Sequence, residues 1–337
     1  MRMTNKVQKF APLPSTTNIY RAITLTAPGQ LHFGEAPLPE PGPSEVRIKL
    51  EGSGVCVSNL PLWEGREWFT YPSDPGAPGH EGWGIIDAVG EDVKGFTERE
   101  RVTGLTYNTY ATHDLAKPEH LVKIPDVFDD KPFPGESFGC AMNIYERSAI
   151  QEGQTVAIVG CGFLGLLLIQ LAKSKGCKVL AISQRGFSLD AAYMSGADHL
   201  IAMEGHTRVI QQVRDLTHGT FCDRTIECTG KEWPLNLSIE LTKERGKLIV
   251  AGFYQDRMRN LNVQLLNRRR IDMISVHDRD PMKYVRGIKA AILAIETSQM
   301  DPFPLFTNVV PMQELGTALH HLGKRPDGFI KALVLNA

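Results

Sequence analysis

Cys56, His80 and Glu81 offer a thiolate, an imidazole and a carboxylate. Those are the S, N and O donors that a catalytic zinc ion takes, three from the protein with a fourth position left open. His80 and Glu81 lie in Pro78-Gly-His-Glu-Gly-Trp-Gly84, and Cys56 stands upstream of them. A further ligand can come from Gly135-Glu136-Ser-Phe-Gly-Cys140, where Glu136 and Cys140 are rival candidates. A lone cysteine and histidine would read as a buried thiol and a core residue. The glutamate beside the histidine, and a nicotinamide site further on, reverse that reading. Zinc held here would polarise an alcohol or carbonyl oxygen as a Lewis acid.

The second chemical feature is Gly160-Cys161-Gly162-Phe163-Leu164-Gly165, a G-x-G-x-x-G. It follows the apolar strand Thr155-Val-Ala-Ile-Val159 and opens the apolar run Leu164 to Ala172, the context in which such glycines bind a dinucleotide. Gly160 permits the tight turn, Gly162 clears space for the pyrophosphate, and Gly165 lets helix and strand pack closely. The helix N-terminus at Phe163 and Leu164 then presents free N–H groups to the phosphates. The next strand ends in Ile182-Ser183-Gln184-Arg185, where an NAD-binding chain would place a carboxylate on the ribose. No carboxylate is there to repel a 2′-phosphate. Ser183 and Arg185 can bond one, so NADP(H) is expected over NAD(H). The plainer alternative is an Arg185 that only caps the strand end.

These groups need elements to position them. At 337 residues the chain is too long for one ordinary core, so two domains are expected. Residues 1–20, with Pro12 and Pro14, read as a loose leader. Residues 21–147 read as β-rich, with Glu45-Val-Arg-Ile-Lys-Leu50 alternating like a half-buried strand. Residues 148–289 alternate strands and helices, the pattern of a doubly wound parallel sheet. Residues 290–337 return to mixed structure and are assigned to the first domain. The fold class is therefore α/β.

Composition narrows the partners. The net charge of -1 gives no electrostatic case for nucleic acid. The basic run Arg268 to Arg270 is short enough to be a solvated face or subunit contact. No apolar run approaches the ~20 residues of a membrane span, and the N-terminus lacks a signal-peptide core. The six cysteines are scattered, which suggests reduced thiols and a cytoplasmic location.

The motifs together resemble the zinc-containing medium-chain dehydrogenase/reductase superfamily from about residue 20 onward. Gly-Val-Cys56-Val-Ser58-Asn59-Leu resembles its G-[VI]-C-x-[ST]-D-L, and Gly79-His80-Glu81-x-x-Gly84 with Val89-Gly90 its G-H-E-x-x-G…V-G. Glu136-Ser-Phe-Gly-Cys-Ala-Met-Asn143 resembles the E-P-L-x-x-x-x-[NH] segment of the sorbitol- and threonine-dehydrogenase-like branch. The resemblance implies a GroES-like catalytic domain and a Rossmann domain. It implies zinc on Cys56, His80 and Glu136, with Glu81 beside the metal as a holder of water or an exchanging ligand. Cys140 would take the place of Glu136 on the pattern of yeast-type alcohol dehydrogenases. Ser58 would bond the substrate oxygen and begin a proton relay. Thr229, Ala251 and Gly252 would join the glycine turn, Phe163, Leu164, Ser183, Gln184 and Arg185 around the cofactor.

The chain also departs from the family. Asn59 replaces the aspartate that orients the zinc histidine, although its carbonyl oxygen still accepts a hydrogen bond. Ser137 replaces a proline, and Pro61 stands where many relatives have a relay histidine. No cysteine lies between 56 and 140, so one catalytic zinc and no structural zinc is expected. Trp63, Trp68, Phe69 and Tyr71, or His277-Asp278-Arg279, are candidates to line a substrate pocket. The expected partners are a small-molecule alcohol or carbonyl substrate and further copies of the chain, as a homodimer or homotetramer. Two competing readings are a zinc-free quinone or enoyl reductase of the superfamily and a catalytically dead nucleotide-binding protein.

Overall fold

The computed structural model describes residues 18–255 and 257–336. Most of the expected leader lies outside the described residues, but Ile19 and Tyr20 already belong to the strand Ile19–Ala27. The chain divides into two compact units. One comprises residues 1–136, 308–324 and 332–337, the other residues 137–307 and 325–331.

The first unit is built on a seven-stranded sheet around the central strand Val46–Val55. That strand pairs antiparallel with Glu81–Val89 on one side and Ala332–Leu335 on the other. Val46, Ile48, Leu50, Ile86 and Val102 form its core. The alternation expected over 45–50 is broken by Arg47, which is buried. Its guanidinium reaches Asp87 at 3.0 Å and the Pro39 carbonyl at 3.1 Å, so pairing makes its burial tolerable.

The second unit holds six parallel strands in the order His199–Ala202, Lys178–Ser183, Thr155–Val159, Cys222–Glu227, Thr242–Val250, Asp272–Ser275. The chain order reverses between Thr155–Val159 and Cys222–Glu227, the switch point where such sheets bind dinucleotides. Branched and apolar residues fill both faces, with Val156, Val159, Val179 and Ile182 fully buried, as expected for parallel strands covered on both sides.

The unit borders differ from the expected 147/148 and 289/290. Nearly all of helix Gly135–Ser148, and all of Pro281–Glu296, fall in the second unit. Two glycines lie where these helices meet. A Cβ on Gly139 would lie 2.9 Å from Ile288 Cγ1, and one on Gly287 would lie 2.5 Å from the Gly139 carbonyl. The two helices therefore meet backbone to backbone, a contact that composition along the chain does not reveal.

Candidate functional site

Antiparallel pairing in the first unit brings the candidate metal ligands together. Gly54 pairs with Glu81 across the antiparallel strands. Cys56, just beyond Gly54, and His80, just before Glu81, therefore emerge at the same end of the pair. Their donor atoms and a Glu81 carboxylate oxygen all lie within 4.8 Å of one another. Glu81 is buried, and a Cβ on Gly54 would overlap its Oε2; the glycine makes room for the carboxylate. Glu136, also buried, stands outside this three-residue cluster, but its charge acts on His80. Its rival Cys140 belongs to the second unit, where its charge acts on Cys228.

The electrostatics suit a cation. Burial opposes a charged His80 imidazole. The hydrogen bond with Cys56 and the negative charges of Cys56, Glu136 and Glu81 outweigh it, pushing His80 up to about 10. A field that holds a proton so firmly also favours a dication, and a metal would take the proton's place on the ring. The soft thiolate, the imidazole and the carboxylate fit zinc.

His80 Nδ1 lies 2.9 Å from the Pro78 carbonyl oxygen. A carbonyl only accepts, so Nδ1 carries its proton and Nε2 is the nitrogen open to a metal. Ser58 Oγ is 3.5 Å from that Nε2. Asn59, buried, bonds elsewhere than the expected histidine ring. Its Nδ2 donates to the same Pro78 carbonyl at 2.9 Å, and its Oδ1 accepts from Cys56 N at 3.1 Å and from the Tyr110 hydroxyl at 2.6 Å. Sequence reasoning missed Tyr110 and the Pro78 carbonyl. Neither carries a motif, and a backbone acceptor has no residue-type signature.

In the second unit, Gly160 adopts φ +101°, a conformation open to glycine. Gly162 caps the helix Phe163–Ser174, and a Cβ there would meet no atom within 4 Å. A Cβ on Gly165 would overlap the Gly160 carbonyl oxygen. The space beside Gly162 is thus open toward a ligand, while that beside Gly165 is taken by the protein. Ser183 is buried at the end of its strand, followed by Gln184 and by Arg185, which caps the helix Gly186–Met194. Arg185 is anchored, with Nη1 donating to the Phe329 carbonyl at 2.7 Å. Burial lowers the affinity of its guanidinium for its proton, and the nearby Arg325 charge lowers it further, against the pull of Asp327.

Glu227, a fully buried carboxylate absent from the sequence-based candidates, holds Thr229 and leaves no room for a side chain at Gly252. It accepts from Thr229 N at 2.6 Å, from the Thr229 hydroxyl, and from the Tyr254 hydroxyl at 2.6 Å. A Cβ on Gly252 would lie 2.5 Å from Glu227 Oε2. Ala251 is buried, with its N–H on the Glu227 carbonyl. Lys331, also buried, sets its ammonium 5.1 Å from the Phe163 ring centroid, at the start of the glycine-turn helix. No sequence motif marked it.

Of the aromatic candidates, Trp68 is exposed and tilted against Phe69 with ring centroids 5.9 Å apart, and the Tyr71 hydroxyl donates to the Leu62 carbonyl. His277 Nε2 bonds the Gly252 carbonyl at 3.0 Å, and Asp278 accepts from the N–H groups of Arg279 and Asp280.

Comparison with known proteins follows the same division. A model of the alcohol dehydrogenase GroES-like domain matches residues 42–126, and one of the zinc-binding dehydrogenases matches residues 164–289. The sorbitol dehydrogenase of Halalkalibacterium halodurans is 26% identical over 335 residues, covering 89% of this chain and 95% of its own length. The D-arabitol-phosphate dehydrogenase of Enterococcus avium is 25% identical over 298 residues, covering 77% of this chain and 83% of its own. The 2R,3R-butanediol dehydrogenase of Bacillus subtilis shares the fold with a TM-score of 0.81 at 19% identity, over 94% of this chain and 100% of that one. Among the described residues no helix is long and apolar enough to cross a membrane. The two matched domain models together span more than half of the sequence, and the chain belongs to the zinc-type medium-chain alcohol and polyol dehydrogenases.

Proposed function

We propose that this oxidoreductase interconverts a polyol with its aldehyde or ketone, using one zinc ion per chain and preferring NADP(H) to NAD(H). The convergence of Cys56, His80 and Glu81 within 4.8 Å carries the reading. The relatives are named for sorbitol, arabitol phosphate and butanediol, each bearing more than one hydroxyl group, which favours a polyol over a simple alcohol. Cys56, His80 and Glu136 would hold the zinc, with Glu81 inside the cluster as the exchanging carboxylate. Gly160, Gly162 and Gly165, with the N–H groups at Phe163 and Leu164, would receive the pyrophosphate. Thr229, Ala251 and Gly252 would flank it. Ser183, Gln184 and Arg185 would receive the adenine ribose and its 2′-phosphate.

When bound, zinc supplies polarisation of the substrate oxygen and the nicotinamide gives or takes the hydride. The chain's own residues do the rest. Ser58 bonds the substrate hydroxyl and carries its proton off during oxidation, returning it during reduction. The Pro78 carbonyl keeps the His80 proton on Nδ1. Glu227 holds Thr229 in place. Pro61 cannot pass a proton on, so the relay leaves Ser58 by another path. The reduced cysteines and the family habit fit a cytoplasmic homodimer or homotetramer, which sedimentation would test. A panel of polyols, simple alcohols and their carbonyl partners with both cofactors tests the rest. The expected result is a higher kcat/KM for polyols and for NADP(H). Turnover of enones or quinones alone, with no alcohol oxidised, would overturn the reading.

A further inference from the structure

We infer that Asn59 is a positioning residue whose amide, rather than a carboxylate, is required to build this zinc site. The inference rests on the zinc reading above. Its basis is that Asn59 uses both ends of its amide. Oδ1 accepts from Cys56 N and from the Tyr110 hydroxyl, while Nδ2 donates to the Pro78 carbonyl. That carbonyl also accepts from His80 Nδ1. One side chain thereby fixes the backbone of the first ligand, Cys56, and the acceptor that sets the ring orientation of the second, His80. The Cys56 N–H, which only donates, and the Pro78 carbonyl, which only accepts, set which end of the amide faces which way, and the hydroxyl of the fully buried Tyr110 adds a second donor that holds Oδ1 there.

An aspartate at position 59 accepts the first two bonds equally well. Its second oxygen faces the Pro78 carbonyl, where Nδ2 now donates at 2.9 Å. Two acceptors at that distance repel, so either the carbonyl or the carboxylate must move, and His80 moves with the carbonyl. The site already contains the acidic groups Cys56, Glu81 and Glu136, all of which act on His80. A fourth acid buried beside them adds like charge without a partner. The family resemblance would suggest that Asn59→Asp restores the usual support for the histidine. The geometry predicts the reverse: the aspartate weakens the site, because the bond it would have made to the ring is already made by Pro78.

The test is zinc affinity by chelator competition for the full-length wild type, Asn59→Asp, Asn59→Ala and Tyr110→Phe, beside thermal unfolding of the metal-stripped proteins. Changes in the groups that orient metal ligands typically cost 10–100-fold in affinity. About that loss is expected for both Asn59 variants, and a smaller loss for Tyr110→Phe, which frees the amide without removing it. Metal-free Tyr110→Phe should unfold near the wild-type midpoint, so that its weaker zinc binding reports positioning rather than collapse. Zinc binding by Asn59→Asp as tight as wild type, or tighter, overturns the inference. Should the Asn59 variants fail to fold, unchanged zinc affinity in Tyr110→Phe overturns it. A wild-type chain that takes up no zinc fails the metal reading, and the inference with it; the other two outcomes fail the inference alone.

Discussion

The glycine turn offers a perturbation whose two halves separate binding from folding. Gly162→Ala and Gly165→Ala each add one methyl group, three residues apart. At Gly165 the methyl overlaps the Gly160 carbonyl oxygen and lies 3.3 Å from Ile158 Cγ2. Backbone and a fully buried side chain must shift, an overpacking that costs about 1–3 kcal/mol. For a unit of this size each kcal/mol lowers the melting midpoint by roughly 2–4 °C. At Gly162 the methyl meets no protein atom within 4 Å, and φ of -87° with ψ of -168° is extended backbone that alanine adopts. Reduced freedom in the unfolded chain stabilises by about 0.4–1 kcal/mol. Alanine is a poorer helix cap than glycine by a similar amount, so the net change in stability is close to zero. The methyl instead fills the space a pyrophosphate needs. Gly162→Ala should keep its melting midpoint and lose at least about tenfold in cofactor affinity, equivalent to about 1.4 kcal/mol. Thermal unfolding with and without cofactor, beside fluorescence titration of NADPH, reads both quantities. A Gly162→Ala protein that binds NADPH normally, or melts lower than Gly165→Ala, would refute the reasoning.

Other perturbations follow from the same geometry. Arg185→Ala should raise the Kd for NADPH by about 10–100-fold, the value of one charge-assisted contact, and leave NADH nearly unchanged; equal losses for both would remove the 2′-phosphate role. Ser58→Ala should lower kcat by about 10²–10⁴-fold, the usual range for a group that moves a proton, with the cofactor Kd held constant in a binding titration. Asp87 is partly buried, which raises its proton affinity, but hydrogen bonds from His113 and Arg47 hold the carboxyl below the usual range. Its contribution is therefore fully present above the unfolded carboxyl pKa of about 3.9. It is lost as pH falls through the lowered folded value. Asp87→Asn should lower stability at pH 7 by about 1–3 kcal/mol, and the gap from wild type should shrink in urea melts taken toward pH 3.

Much of this was legible in the residues, and the boundary between what was and was not has a physical origin. The glycine turn could be read because each glycine answers a local demand of the backbone: a positive φ at Gly160, open space at Gly162 and close packing at Gly165. Cys56 and His80 could be paired because two antiparallel strands bring their ends together, and the second strand starts at Glu81. The support behind them could not be read. Tyr110 reaches Asn59 across a large sequence separation, and the Pro78 carbonyl is a backbone atom that any residue would offer. Glu227 carries no motif, since only the fold shows that four donors from three residues converge on it. Gly139 and Gly287 allow two helices to touch, a tertiary contact with no local pattern. Arg47 broke the strand alternation for a similar reason, its partners Asp87 and Pro39 lying outside its own strand.

On the proposed reading, Cys56, His80 and a neighbouring carboxylate hold a zinc ion that the reaction needs. The most direct test is metal analysis of purified, active protein, followed by chelation and re-addition of zinc. Purified protein should carry about one zinc per chain, as expected of a single catalytic site. Activity should be lost on chelation and restored by zinc, and Cys56→Ala should purify without the metal while still binding NADPH. Full polyol oxidation by protein carrying less than about 0.2 zinc per chain, unaffected by the chelator, would contradict that reading.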